Sequence, residues 1–141
     1  MILLQAAARP LGPAAECLRL VKARRLELFL SPEIVAEVRD VLTRPRTLKK
    51  FPALTPEAVG LFLEDVQMQA AILDQVPHSF SLPRDPKDEP YLDLALASGA
   101  KYLVSRDRDL LDLMEDQAFR QAFPDLMILD PAEMLDRKSV V

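Results

Sequence analysis

Three carboxylates in this chain sit where a folding code would prefer something else. Glu37 and Asp88 fall on the apolar stripes of predicted helices, and Asp107 follows the apolar run Tyr102-Leu103-Val104. Burying a carboxylate is expensive unless a charge or a cation compensates it, so each position needs a partner. One Mg²⁺ or Mn²⁺ shared by the three would account for all of them, because hard divalent cations take carboxylate oxygens. Such an ion neutralises phosphate charge and makes bound water acidic, which is what phosphodiester hydrolysis near neutral pH requires.

Helical periodicity places the first two acids. In the stretch from Ser31 to Leu42 the stripe runs through Ile34, Val38, Val41 and Leu42, with Glu37 between them and Glu33 and Asp40 off it. From Asp88 onwards, Tyr91, Leu92, Ala95, Leu96 and Gly99 follow at i+3, i+4, i+7, i+8 and i+11. Asp88 therefore heads the inward face, and Asp93 is expected to point away. Taken singly, Glu37 could serve a structural salt bridge and Asp88 a helix N-terminus. Jointly the three acids point to a shared pocket.

The chain has 141 residues, which sets the expectation of a single domain, 1–141, with a substantial core. Half of its residues are hydrophobic and only three are glycine, which argues for a helix-rich globular protein and against a disordered or fibrous one. Cys17 is the single cysteine, so an intrachain disulfide and a zinc site built on paired cysteines are excluded, and the cytoplasm is the expected compartment. The opening Met1-Ile2-Leu3-Leu4-Gln5-Ala6-Ala7-Ala8 meets Arg9-Pro10 too early for a signal peptide or a membrane span, and no membrane association is expected. Cys17 reads as a small core residue. His78, the one histidine, reads as a plain loop residue with no companion for a metal or triad site.

The net charge is −4, which does not by itself suggest a nucleic-acid binder. Its distribution is more informative. Arg39, Arg44, Arg46, Lys49 and Lys50 concentrate positive charge after Glu37, while acids gather around Asp85 to Asp93 and Asp107 to Asp116. A basic flank beside an acidic cluster suits a metal-dependent nuclease, with Arg44, Arg46, Lys49 and Lys50 as candidate RNA contacts. A solvated helix end would give the same pattern.

The elements that must position these residues alternate. Helices are expected at 13–25, from Ser31-Pro32, from Thr55-Pro56 to about residue 71, at 88–98 with Gly99 as C-cap, through Leu110, Leu111 and Met114, and at 131–137. Strands are expected at 26–30, 72–76, 101–105 and 126–129, and residues 78–86 as loop. Strands separated by helices make an α/β fold, a mostly parallel central sheet with helices on both faces in three α/β/α layers. Ligands in such sheets bind at the carboxyl ends of the strands, where one edge can collect Glu37, Asp88 and Asp107.

Ser31-Pro32-Glu33 followed by Glu37, then Arg84-Asp85-Pro86-Lys87-Asp88, then the run from Leu94 through Ser105-Arg106-Asp107-Arg108-Asp109-Leu110 resemble a PIN domain. The branch most similar is the bacterial group of toxin components of toxin–antitoxin systems, related to the VapC-type toxins. The resemblance covers almost the whole chain. It implies a ribonuclease whose clustered acids bind Mg²⁺ or Mn²⁺, with Glu37, Asp88 and Asp107 as the family's second, third and fourth acids. It further implies supporting roles for Ser105, Asp109 and, more weakly, Asp85, an RNA substrate, a cognate antitoxin and a homodimer.

PIN domains open with an apolar strand, central in the sheet, that ends in Asp followed by Thr or Ser and usually Asn. Here Met1-Ile2-Leu3-Leu4-Gln5-Ala6-Ala7 matches the segment just after that motif, so the first strand and its Asp are expected to be missing. A start set at an internal Met is favoured over a true truncation. Two other classes remain open. One is a catalytically incomplete PIN-like binding module. The other is an Mg²⁺-dependent receiver or phosphotransfer domain, whose paired acids and active-site lysine are not found here in the expected context.

Overall fold

The computed structural model describes residues 2–79, 81–82 and 86–139. In chain order these form α1 (Ile2–Ala8), α2 (Pro13–Lys22), β1 (Leu28–Leu30), α3 (Pro32–Leu42), α4 (Pro45–Lys50), α5 (Pro56–Gln69) and β2 (Ala70–Ile72). A short 3₁₀ turn (Pro86–Asp88) then leads into α6 (Glu89–Ser98), β3 (Tyr102–Val104), α7 (Arg108–Leu111), a second 3₁₀ turn (Asp112–Glu115), α8 (Gln117–Ala122), β4 (Met127–Leu129) and α9 (Pro131–Ser139).

Local chemistry sets the main helix boundaries. Ser31 and Thr55 stand in extended backbone, and each side-chain oxygen accepts a backbone N–H at 3.2 Å, from Ile34 and Ala58 respectively. Proline follows each cap at the first helical position, where no N–H is needed. At the far end of α6, Gly99 adopts φ 69°, the left-handed conformation that closes a helix. Helix α2 stops at Lys22, short of the expected residue 25, because Arg24 turns to a left-handed φ of 61°. Helices α1, α4 and α8 were not expected, being too short to show a clear stripe.

The strands run in parallel pairs. Leu28 lies opposite Ala70 in the β1–β2 pair, and Tyr102 lies opposite Met127 in the β3–β4 pair. Parallel neighbours need crossover connections, which α3, α4 and α5 provide for the first pair and α7 and α8 for the second. Strand β2 lies two residues earlier than the expected 72–76, since α5 yields directly to β2 at Ala70. The mixed α/β architecture with parallel strands holds. Its sheet, however, comes in two halves, and among the described residues β1 pairs only with β2 and β3 only with β4.

Each half has its own apolar core. Ile34, Val38 and Leu42 of α3 pack with Val59, Leu63 and Val66 of α5 beside β1 and β2. Leu110, Leu113, Phe119, Leu126 and Ile128 form the second core beside β3 and β4. Helix α6 joins the two, because Leu94 enters the first core and Leu92 and Ala95 the second. No helix among the described residues is long and apolar enough to cross a membrane.

Candidate functional site

Strands β1 and β3 both line a cavity of about 680 Å³, with further walls from α1, α2, α3, α6, α7 and α9. Glu37, Asp88 and Asp107 all line it. Glu37 arrives on the second turn of α3, directly after β1, and Asp107 arrives just after β3. Asp88 ends the 3₁₀ turn that leads into α6. Three elements distant in sequence thus bring their carboxylates to one space beyond the carboxyl ends of two parallel strands.

Each acid is held differently. Asp107 is anchored twice: its N–H donates to Ser105 Oγ at 2.9 Å, and its Oδ1 accepts the Asp109 N–H at 2.8 Å as the cap of α7. Ser105 is buried, so its hydroxyl sets the turn from inside the fold. Asp88 precedes α6, yet its side chain makes no capping hydrogen bond there. The buried Asp88 Oδ2 and the buried Tyr91 hydroxyl make no hydrogen bond among the described residues.

Tyr91 also lines the cavity, and periodicity alone did not single it out as functional. Its position three residues after Asp88 on the same stripe was the available signal. Burial first, then the charge and hydrogen-bonding influence of Glu37, and last the charge of Asp88, push the Tyr91 pKa well above its ordinary value. The geometry to Glu37 falls short of a regular hydrogen bond. Tyr91 is therefore a neutral hydroxyl donor placed beside two carboxylates.

The donor set is hard oxygen, which suits a hard cation such as Mg²⁺ or Mn²⁺. The buried Asp88 Oδ2 and the cavity wall shared with Glu37 and Asp107 also fit such an ion. Even so, among the described residues no group of three acids, histidines or cysteines is gathered closely enough to enclose one ion. Asp85 lies outside the described residues.

The basic residues are placed elsewhere. Arg44 precedes α4 and pairs with Asp40 at 2.7 Å, while Arg46, Lys49 and Lys50 are exposed on α4. None of these four lines the cavity that collects the acids. Lys50 lies over the Phe51 ring at 5.5 Å.

Two expectations are corrected. Asp93 does not point away but is buried, accepting the Ser79 N–H at 2.8 Å. His78 is not without companions, since its Nδ1 lies 2.9 Å from Asp93 Oδ2 and its Nε2 lies 3.8 Å from Glu89. The physical reason is the loop, which folds back over α6 and satisfies its backbone on α6 carboxylates; Leu82 N–H likewise donates to Glu89 at 2.8 Å. This cluster holds a loop, and it adds no ligand to the cavity.

Parallel strands with crossover helices, and three carboxylates lining one cavity beyond the strand ends, define an α/β protein with an acidic cavity. A family model described as PIN domain matches residues 1–109, and the chain belongs to that family, whose members are generally nucleases. No curated protein and no solved structure matches the chain.

Proposed function

We propose that this protein is a divalent-metal-dependent ribonuclease, the toxin of a toxin–antitoxin pair acting in the cytoplasm on single-stranded or structured RNA. The observation that carries this reading is the convergence of Glu37, Asp88 and Asp107 on one cavity in a PIN domain. These three would hold Mg²⁺ or Mn²⁺, which when bound supplies an acidified water and neutralises phosphate charge. Ser105 and Asp109 orient Asp107, and Tyr91 offers a hydroxyl to Glu37. Asp85 is a weaker supporting acid in this reading. Arg46, Lys49 and Lys50 draw the RNA backbone to the surface near α4, with Arg44 partly spent on Asp40. An antitoxin protein and a second copy of the chain are the expected partners.

In this reading a further carboxylate, the Asp that ends the first apolar strand of a PIN domain, completes the site. The absence of a close three-ligand group among the described residues favours a second reading, a PIN-like module that binds without cleaving. The two are separated by comparing the 141-residue chain, a form extended before Met1 by an apolar strand ending in Asp, and the extended form carrying Asp88→Asn. Calorimetric Mn²⁺ titration should show tighter binding by the extended form, which alone should cleave single-stranded RNA. Asp88→Asn should abolish cleavage while leaving the metal-free melting temperature equal or higher, since it removes one of two negative charges beside Tyr91. Absence of Mn²⁺ binding by the extended form, or full activity of its Asp88→Asn variant, would overturn the nuclease reading.

A further inference from the structure

Tyr91 carries a polar group that the surrounding side chains do not serve. Its hydroxyl is buried and makes no hydrogen bond among the described residues. A phenol offers one donor and two acceptor lone pairs, and burying it unmet is costly. The residue stands three positions after Asp88 in the first turn of α6 and lines the cavity with Glu37, Asp88 and Asp107. Glu37 acts on the hydroxyl through charge and hydrogen bonding, although the pair falls short of a regular bond.

Carboxylates can satisfy only part of this hydroxyl. An ionised carboxylate accepts and cannot donate, so Glu37 and Asp88 can take the Tyr91 proton but cannot serve its lone pairs. The side-chain donors on the cavity wall are placed or committed elsewhere. Arg25 precedes β1, Lys101 precedes β3 and Tyr102 opens β3, all at the amino ends of the strands, whereas Glu37 and Asp107 lie beyond the carboxyl ends. Ser98 Oγ donates to the Ala95 C=O at 3.2 Å, and Ser105 Oγ is turned to the Asp107 N–H. The acids themselves are spread, since among the described residues no three ligating groups are gathered closely enough to enclose one ion. Mg²⁺ is usually held by one or two carboxylates and keeps several of its waters. Water in such a shell turns its lone pairs to the cation and its acidified hydrogens outward, so it is a strong donor. It supplies what the carboxylates cannot.

We propose that Tyr91 is a positioning residue for a hydrated Mg²⁺ or Mn²⁺, its hydroxyl donating to Glu37 and accepting a hydrogen bond from a water in the ion's shell. This rests on the metal reading above and adds to it a contact that is not a carboxylate. The hydroxyl then has opposite effects in the two states. Without metal it burdens the fold as a buried group left unmet. With metal it fixes the ion's shell against Glu37, and outer-shell partners of this kind are worth about ten- to a hundredfold in metal affinity. Tyr102, at the other end of the same cavity, has no such role.

The test compares the 141-residue chain with its Tyr91→Phe and Tyr102→Phe variants. Mn²⁺ affinity is read from the electron paramagnetic resonance signal of the free ion, and metal-free stability from thermal melting. Tyr91→Phe should weaken Mn²⁺ binding about tenfold, while its metal-free melting temperature stays equal or rises. A purely structural hydroxyl would not separate the two readouts in this way. Tyr102→Phe should bind Mn²⁺ as the unsubstituted chain does. The chain has two tyrosines and no tryptophan, so Mg²⁺ should also perturb its near-ultraviolet difference spectrum through Tyr91. That perturbation should vanish in Tyr91→Phe and persist in Tyr102→Phe. Four results would overturn the role of Tyr91 and leave the metal reading standing: equal Mn²⁺ affinity in Tyr91→Phe, a lower metal-free melting temperature in that variant, a spectral change that survives it, or an equal loss of affinity in Tyr102→Phe. Absence of Mn²⁺ binding by the unsubstituted chain would also overturn it, and absence of binding by the extended form as well would remove the metal reading with it.

Discussion

Asp93 and His78 show what a single pair of side chains contributes at the residue scale. Asp93 is buried under the loop and accepts from Ser79 N–H, so Asp93→Leu should cost about 1–2 kcal/mol by leaving that loop without its acceptor. The hydrogen bond to Asp93 and then the charge of Asp93 raise the His78 pKa; desolvation opposes them, and the charge of Glu89 adds the smallest rise. A raised folded pKa means that the stabilisation is fully present below the ordinary value of about 6.5 and is lost as pH rises through the folded value. The His78 side chain is 65% exposed, so solvent screens the effect and keeps it small. Melting temperatures should decline as pH rises above about 6.5, and His78→Asn should flatten that slope. A wild-type slope that survives the substitution would remove His78 from this role. None of this pair was legible from sequence, because it joins a loop to a helix fifteen positions away through a fold-back that no local pattern encodes.

At the scale of elements, the legible features are those written in adjacent residues. Ser31-Pro32, Thr55-Pro56 and Gly99 announced helix boundaries because capping and left-handed closure are local chemistry. Glu37 on its stripe was legible for the same reason, and its orientation depends on α3 starting where it does. Ser31→Ala should therefore cost about 1 kcal/mol in chemical denaturation, as the Ile34 N–H loses its acceptor at a buried helix start. An unchanged midpoint would show that α3 is held by its packing alone. Strand limits were less legible. Three-residue strands show little alternation, and Ala70 and Ala71 fit the end of α5 as well as the start of β2. The division of the sheet could not be read at all, since it depends on which strands pair.

On the scale of the whole molecule, the two halves meet through α6 and around the cavity. Cys17 stands on that join: it is buried on α2, lines the cavity, and sets its Sγ 3.7 Å from the Pro131 carbonyl of α9. Burial, and secondarily Glu16, push its thiol pKa up, so little thiolate is present at neutral pH. As the chain's single cysteine, it makes the molecule its own stopwatch. Cys17 is 7% exposed and lines the cavity, so its alkylation rate reports how readily a reagent reaches that wall. A thiol-reactive chromophore should react much more slowly with the native protein than with denatured chain. Equal rates in native and denatured protein would show that the cavity leaves Cys17 open to the reagent.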